Sequence, residues 1–331
     1  MIPPKVVAED YIQFLIATPR VCSTTEAARV QPIQEDPPFH DAFTRLLNRL
    51  QPDSQSLWNE VQVQVQREEG GLILDDSTLD KPYARSMELV TRHWSGKHHA
   101  VVQGINLTTL LWTDGDRPIP CDYRIYDKEH DGATKNDHFR DLLQQAKSRG
   151  FCPKYVVFDG WYSSLENLKL IRSYQWLWLT RFKANRLVNR NREGLRPLSE
   201  TEIASGGTEV HLKGYGLVGV FKIVAPNGDI AYWGTNDLTM NELTRLQYAE
   251  WSWKIEEYHR GIKQYCGVER CFARKANRQR NHIGLAIRAF VRLEARCFVR
   301  GISWFTAKME IIRDALRSYL TNPSFLFSPV A

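Results

Sequence analysis

Two short, wholly apolar runs in this chain each break off into aspartate. Gly71–Leu74 leads into Asp75 and Asp76, and Tyr155–Phe158 leads into Asp159. A run apolar at every position has no wet side, so each reads as a strand buried on both faces, inside a sheet covered by helices. Two more strand-like stretches lie between them. His98–Trp112 is long and rich in branched residues, and Arg117–Asp127 follows it. Lys135–Gly150 then shows helical periodicity, with Phe139, Leu142, Leu143 and Ala146 on one face and Gly150 as its stop. Ser163–Tyr174 reads as a helix capped by Ser163 or Ser164, and Gln175–Phe182 as a fifth strand. The order strand, strand, strand, helix, strand, helix, strand predicts a mixed α/β sheet, with a three-strand meander at one side and helices on its faces. In such a sheet the first and fourth strands are neighbours, so their acidic ends can converge.

The rest of the chain divides around this core. Residues 1–69 carry no strand signal. His40–Leu50 places Phe43, Leu46, Leu47 and Leu50 on one helical face, and Ser54 can cap a helix beginning near Ser56. This predicts a helical N-terminal domain with DNA binding as one use. The core is expected over 70–182, followed by a β-rich insertion over 183–240 with a turn at Asn227–Gly228. One long helix is expected from about Met240 to Tyr265, within a second core segment over 241–300, and a helical tail over 301–331.

Composition narrows the partners. Hydrophobic residues make up 43% and charged residues 25% of 331, which suits a folded globular chain over a disordered one. No apolar run approaches the ~18 residues a membrane span needs, and the N-terminus lacks the pattern of a signal peptide, so a cytoplasmic, nucleoid-associated protein is the default. The six cysteines form no C-x-x-C pair and read as reduced thiols. The net charge is only +6, but the stretch Trp251–Arg300 holds twelve basic residues against four acidic ones. That block suits a polyanion, nucleic acid being the common one, and a solvated helical face is the alternative. Phosphate-loop, dinucleotide, zinc-protease and serine-hydrolase motifs are absent.

Three acidic positions carry the chemistry: Asp75–Asp76 and Asp159 at strand ends, and Glu256 on the late helix. Oxygen ligands with open positions left for water and phosphate are what Mg²⁺ requires, and two such ions about 4 Å apart can activate one oxygen and stabilise another. On its helix Glu256 shares a stripe with His259, Arg260 and Lys263, at i, i+3, i+4 and i+7. A carboxylate followed by cations suits a metal ligand beside phosphate contacts, and a salt-bridged surface helix is the alternative. Trp176, Trp178 and Trp253 read as core. Trp233, in the insertion, reads either as core or as a platform for a flipped base.

The segments Leu74–Thr78, Val156–Ser164 and Trp251–Gln264 resemble the three acidic motifs of bacterial insertion-sequence transposases, most closely insertion-sequence family four and family seven-hundred-and-one. The resemblance spans about 20–300. It implies an RNase H-like core, two Mg²⁺ ions (Mn²⁺ as a substitute), double-stranded DNA as partner, and a homodimer on paired DNA ends. Carried over residue by residue, it implies Asp76, preferred to Asp75 because Ser77 follows it, then Asp159, and then Glu256, with six residues between it and Lys263. Lys254, His259, Arg260, Lys263, Arg274, Lys275, Arg278 and Arg280 are the expected DNA contacts. The family's Tyr and Arg ahead of the Glu are missing: Ala249 and Ser252 stand there, and Tyr248 is one residue off. The Ser95–His99 and Thr134–Asn136 stretches are also family-like. Two rivals remain, a nuclease of the same fold without strand transfer and an inactive DNA-binding relic.

Overall fold

The computed structural model describes residues 3–33, 35–95 and 99–323. Part of the family-like stretch, residues 96–98, lies outside the described residues. In chain order the helices are α1 (Ala8–Ala17), α2 (Thr24–Arg29), α3 (His40–Arg49), α4 (Gln55–Val61), α5 (Lys135–Ser148), α6 (Leu165–Ser173), α7 (Glu242–Trp251), α8 (Trp253–Tyr265), α9 (Ala276–Arg300) and α10 (Trp304–Thr321). The core strands are β1 (Gly71–Asp80), β2 (Thr91–Ser95), β3 (Ala100–Thr113), β4 (Ile119–Tyr126), β5 (Tyr155–Phe158) and β6 (Trp178–Phe182). The strands of the insertion are β7 (Leu187–Asn189), β8 (Arg196–Pro197), β9 (Thr208–Leu212), β10 (Gly216–Val224) and β11 (Ile230–Thr235).

The chain forms two compact units. One comprises residues 54–84 and 89–259, and the other comprises residues 1–53, 85–88 and 260–331. The helical unit draws on both ends of the chain. The reason lies in the packing of α9. Its apolar face, with Ile283, Ala286, Ile287 and Phe290, is buried, and α1 and α3 pack against that helix. Within this unit Asn281 donates to the carbonyls of Leu47 and Leu50, each at 2.9 Å. Tyr11 and His282 share a buried hydrogen bond of 3.0 Å.

The other unit is built on a sheet. β4, β3, β1, β5 and β6 stand side by side, β3 antiparallel to its neighbours and β1, β5 and β6 parallel. This is the mixed arrangement that the order of elements predicts. The parallel strands bury every position from Leu72 to Leu74 and from Tyr155 to Phe158, which explains their unbroken apolar character. Helix α5 packs beside β3 and β4, with Phe139 edge-on to Phe158 at 5.3 Å. Helix α7 packs against β1, β5 and β6, and its Trp251 lies so close to Gly71 that an added Cβ would stand 2.9 Å from the ring.

Two further features mark residues 183–265. The insertion is β-rich, but its strands do not form a sheet of their own. β11 pairs antiparallel with β6, and β10, β9, β7 and β8 continue outward, giving one 11-stranded sheet. The single helix expected over 240–265 is two helices, α7 and α8, parted at Ser252. There the Ser252 hydroxyl donates back to the carbonyl of Ala249 at 2.5 Å, a local bond that competes with the helical ladder and bends it.

Candidate metal and DNA site

Strand register decides which acids meet. β1 and β5 run parallel with Leu74 opposite Phe158, so one residue further Asp75 lies opposite Asp159. Residues directly opposite on adjacent strands point to the same face, and successive residues point to opposite faces. Asp75 and Asp159 therefore share a face, and Asp76 takes the other. Helix α8 covers the shared face and brings Glu256 and His259 to Asp75: one ligand-capable atom from each lies within 4.8 Å of the other two. Asp75, Asp159 and Glu256 line one cavity together with Ile73, Arg181, Trp233 and Trp253, with space for water of about 200 Å³.

Of this adjacent pair the sequence favours Asp76, and it is Asp75 that lines the cavity. Asp76 is held on the opposite face by three donors: Asn106 Nδ2 at 2.6 Å, Tyr162 OH at 2.7 Å and Lys135 Nζ at 2.8 Å. The two adjacent carboxyls consequently differ in electrostatics. Burial pushes the Asp75 carboxyl well above its usual range, and the charges of Asp76, Asp159 and Glu256 add to the rise. Burial also disfavours charge on Asp76, but Lys135, Asn106 and Tyr162 outweigh it and hold that carboxyl below its usual range. A half-buried carboxyl facing two others on one cavity wall is what a divalent cation relieves, and the hard oxygen donors suit Mg²⁺ or Mn²⁺. The residues present fit such an ion.

Asp159 ends its strand and turns the chain. Its Oδ1 accepts the backbone N–H of Trp161 at 3.1 Å, capping the short 3₁₀ turn Gly160–Tyr162. Gly160 is required at this point. A Cβ on it would stand 2.6 Å from the Arg181 carbonyl oxygen of β6, a backbone atom that cannot move aside.

The expected DNA contacts divide. His259 is buried at 4% exposure, with a ring nitrogen within 4.8 Å of a carboxylate oxygen of Asp75 and of Glu256. Lys254 pairs with Glu257 at 3.0 Å. In the helical unit Lys263 pairs with Glu269 at 3.2 Å, Lys275 with Glu88 at 2.9 Å, and Arg278 donates to the Asn48 side chain at 2.7 Å. Arg260 and Arg274 are exposed, and Arg280 is half-buried. Tyr248, one residue off the family position, packs against Tyr155 with ring centroids 4.1 Å apart and planes tilted by 39°.

The tryptophans divide too. Trp176 and Trp178 are core residues, at 2% and 0% exposure. Trp253, expected in the core, is 60% exposed and lines the cavity one helical turn before Glu256. Trp233 is 6% exposed on the cavity wall, with the Arg181 guanidinium 5.1 Å from its ring centroid. Register explains that pair: Trp233 lies opposite Arg181, and Arg181 falls one position beyond the Phe158–Thr180 pair, opposite Asp159. Asp75, Asp159, Arg181 and Trp233 thus form one transverse row on the same face of the sheet. Sequence reasoning set Asp75 aside for Asp76 and did not single out Arg181. Asp75 was within reach of strand alternation, whereas Arg181 depends on the pairing of β6 with β5 and β11.

Comparison with known proteins adds family and fold. The model of a transposase DDE domain matches residues 66–292. A cryo-EM structure of a piggyBac transposase synaptic complex with hairpin DNA is similar in fold, with a TM-score of 0.53 and 14% identity, covering 96% of this chain and 73% of that one. No curated protein matches the sequence.

Proposed function

The chain belongs to the transposase DDE domain family, and on that premise we propose that it cleaves the ends of a mobile DNA element and joins them to target DNA, with Asp75, Asp159 and Glu256 as its metal-holding acids. The observation that carries this reading is the meeting of two in-register strand ends with a helix-borne glutamate in one cavity. Divalent ions held there, two in the usual arrangement for phosphodiester transfer, supply charge stabilisation and an activated oxygen.

The chain's own residues do the rest. Asp75 is held rigidly by the central strand of the sheet, Asp159 by its capped turn, and Glu256 by α8. That division keeps the ligands fixed while leaving the cavity mouth open to a strand. His259, buried beside Asp75 and Glu256, orients the acids or adds a ligand. Arg181, opposite Asp159 in register, offers a cation for the phosphate next to the scissile one, and its guanidinium is kept in place by the Trp233 ring beneath it. The exposed indole of Trp253 gives bases an apolar surface at the cavity rim. Arg260 and Arg274, with the other cations of the helical unit, serve as phosphate contacts that position the duplex without reading its sequence. The two DNA ends require two active sites, and a homodimer supplies them.

The test is Glu256→Gln, assayed on duplex DNA bearing the element's own termini. Strand cleavage in Mg²⁺ should be lost while DNA binding is kept or tightened, because the change removes a metal ligand and a negative charge. Cleavage at near-normal rates would show that Glu256 is not a ligand.

A further inference from the structure

Among the tryptophans whose exposure is described, only two are exposed, Trp253 at 60% and Trp161 at 53%. Trp253 lines the cavity already described. Trp161 does not, and nothing in the reading above uses it. It lies two residues beyond Asp159, and its backbone N–H is the one that caps the Asp159 carboxylate.

An exposed indole is ordinarily a loose surface side chain, but this one is backed on several sides. Its ring meets the buried Tyr162 edge-on, with centroids 5.1 Å apart and planes at 78°. Tyr162 in turn stacks on Phe139 at 4.9 Å, with planes 14° apart. The Lys135 ammonium lies 5.7 Å from the Trp161 ring centroid. Tyr162 and Lys135 are both fixed by one carboxylate: Asp76 accepts from Tyr162 OH at 2.7 Å and from Lys135 Nζ at 2.8 Å. Lys135 opens α5 behind a capping box made by Thr134 and Asp137, so the Thr134–Asn136 stretch acquires a physical role. A buried network anchored on the central strand therefore supports the turn that carries Trp161, and about half of that indole stays open to solvent.

We infer that Trp161 is a nucleobase-stacking platform for the DNA strand at Asp159, separate from the Trp233 and Trp253 surfaces, with Asp76 as the positioning residue that holds it through Tyr162 and Lys135. The inference rests on the transposase reading for its ligand. The ligand class is an unpaired or splayed nucleotide flanking the scissile phosphate. A flat aromatic face backed by a second ring, in the turn that Asp159 caps, suits a base, and stacking is indifferent to which base is present. Lys135, lying over the ring, stabilises it as a cation–π partner and offsets the local negative charge.

The test uses the full chain and a 12-nucleotide single-stranded DNA with 2-aminopurine at its centre, followed by anisotropy and by 2-aminopurine quenching. Trp161→Ala should weaken binding by between about 5-fold and 150-fold and relieve the quenching, which is the range expected for one lost stacking partner. Trp161→Phe should stay within about threefold of the wild-type protein. Lys135→Gln should cost roughly two- to fivefold by loosening the ring. If Trp161→Ala binds and quenches like the wild-type protein, the platform is refuted and the transposase reading stands. If the wild-type protein itself fails to bind the strand, the platform is refuted as well, while the transposase reading is tested separately on duplex DNA by Glu256→Gln.

Discussion

Asp75 and Asp76 are adjacent in the chain, and their surroundings have almost nothing in common. Asp75 faces α8, two further carboxylates and a cavity, and burial raises its carboxyl well above the usual range. Asp76 faces α5 and accepts from a lysine, an asparagine and a tyrosine, which lower it. One step along a pleated strand reverses the face. The front carboxylate accepts the backbone N–H of Asp76 at 2.8 Å and faces further carboxylates, an arrangement that suits a cation ligand. The back carboxylate has every partner it needs, which is the condition of a structural group. A buried acid by itself therefore says little about catalysis; the presence or absence of protein partners says more.

Exchanging the two roles is the strongest way to break this contrast. Asp75→Asn should abolish Mg²⁺-dependent cleavage of duplex DNA carrying the element's termini. Asp76→Asn should lower it by roughly 10- to 100-fold, the cost of disturbing a group that orients a ligand without binding the metal. Equal, complete losses in gel-based cleavage assays would break the distinction. A milder test probes the turn that joins the faces. Gly160→Ala forces a Cβ to 2.6 Å from the Arg181 carbonyl, so it should displace Asp159 and reduce cleavage by about 10- to 100-fold, while the far-ultraviolet circular dichroism spectrum stays unchanged.

Stability without metal should separate the faces in the opposite direction. A carboxyl raised in the folded state contributes stability at pH values below its unfolded value, and that contribution is lost as pH rises through the folded one. A lowered carboxyl contributes above its unfolded value and loses its contribution as pH falls. At neutral pH in EDTA, Asp75→Asn should therefore raise the melting temperature by about 1–2 °C, as roughly 1 kcal/mol does in a chain of this size. Asp76→Asn should lower it. A rise for both variants in differential scanning calorimetry would show that the back network does not stabilise the fold. The smallest effect concerns the helical unit. Lys263 is engaged with Glu269 and Arg260 is exposed, so Arg260→Ala should reduce the salt slope of DNA binding by about one, and Lys263→Ala by less. Equal slopes would show that the Lys263 ion pair opens on DNA.

Much of this arrangement is legible in the residues alone. The apolar runs around Ile73 and Val157 have no polar side to present, so their burial in a two-faced sheet follows directly, as does the convergence of their acidic ends. What pattern cannot supply is pairing register. Asp75 or Asp76 can meet Asp159 depending on whether Leu74 lies opposite Phe158 or one step away, and the following Ser77 is no guide to it. The same gap hides Arg181 and Trp233, which come together only because β11 joins β6 and extends the sheet. Helical spacing likewise puts His259 and Arg260 on nearby sides of α8 without saying which is buried. The grouping of residues 1–53 with α9 is a contact across more than 200 residues of chain, and no local signal marks it.

The central claim is that the cation site lies on the Asp75 side of the strand. Calorimetric titration of Mn²⁺ into the wild-type protein, Asp75→Asn and Asp76→Asn, with bound DNA present in each, measures this most directly. The account predicts that Asp75→Asn loses binding and that Asp76→Asn retains the stoichiometry with weakened affinity. Loss of binding in Asp76→Asn with full retention in Asp75→Asn would contradict it.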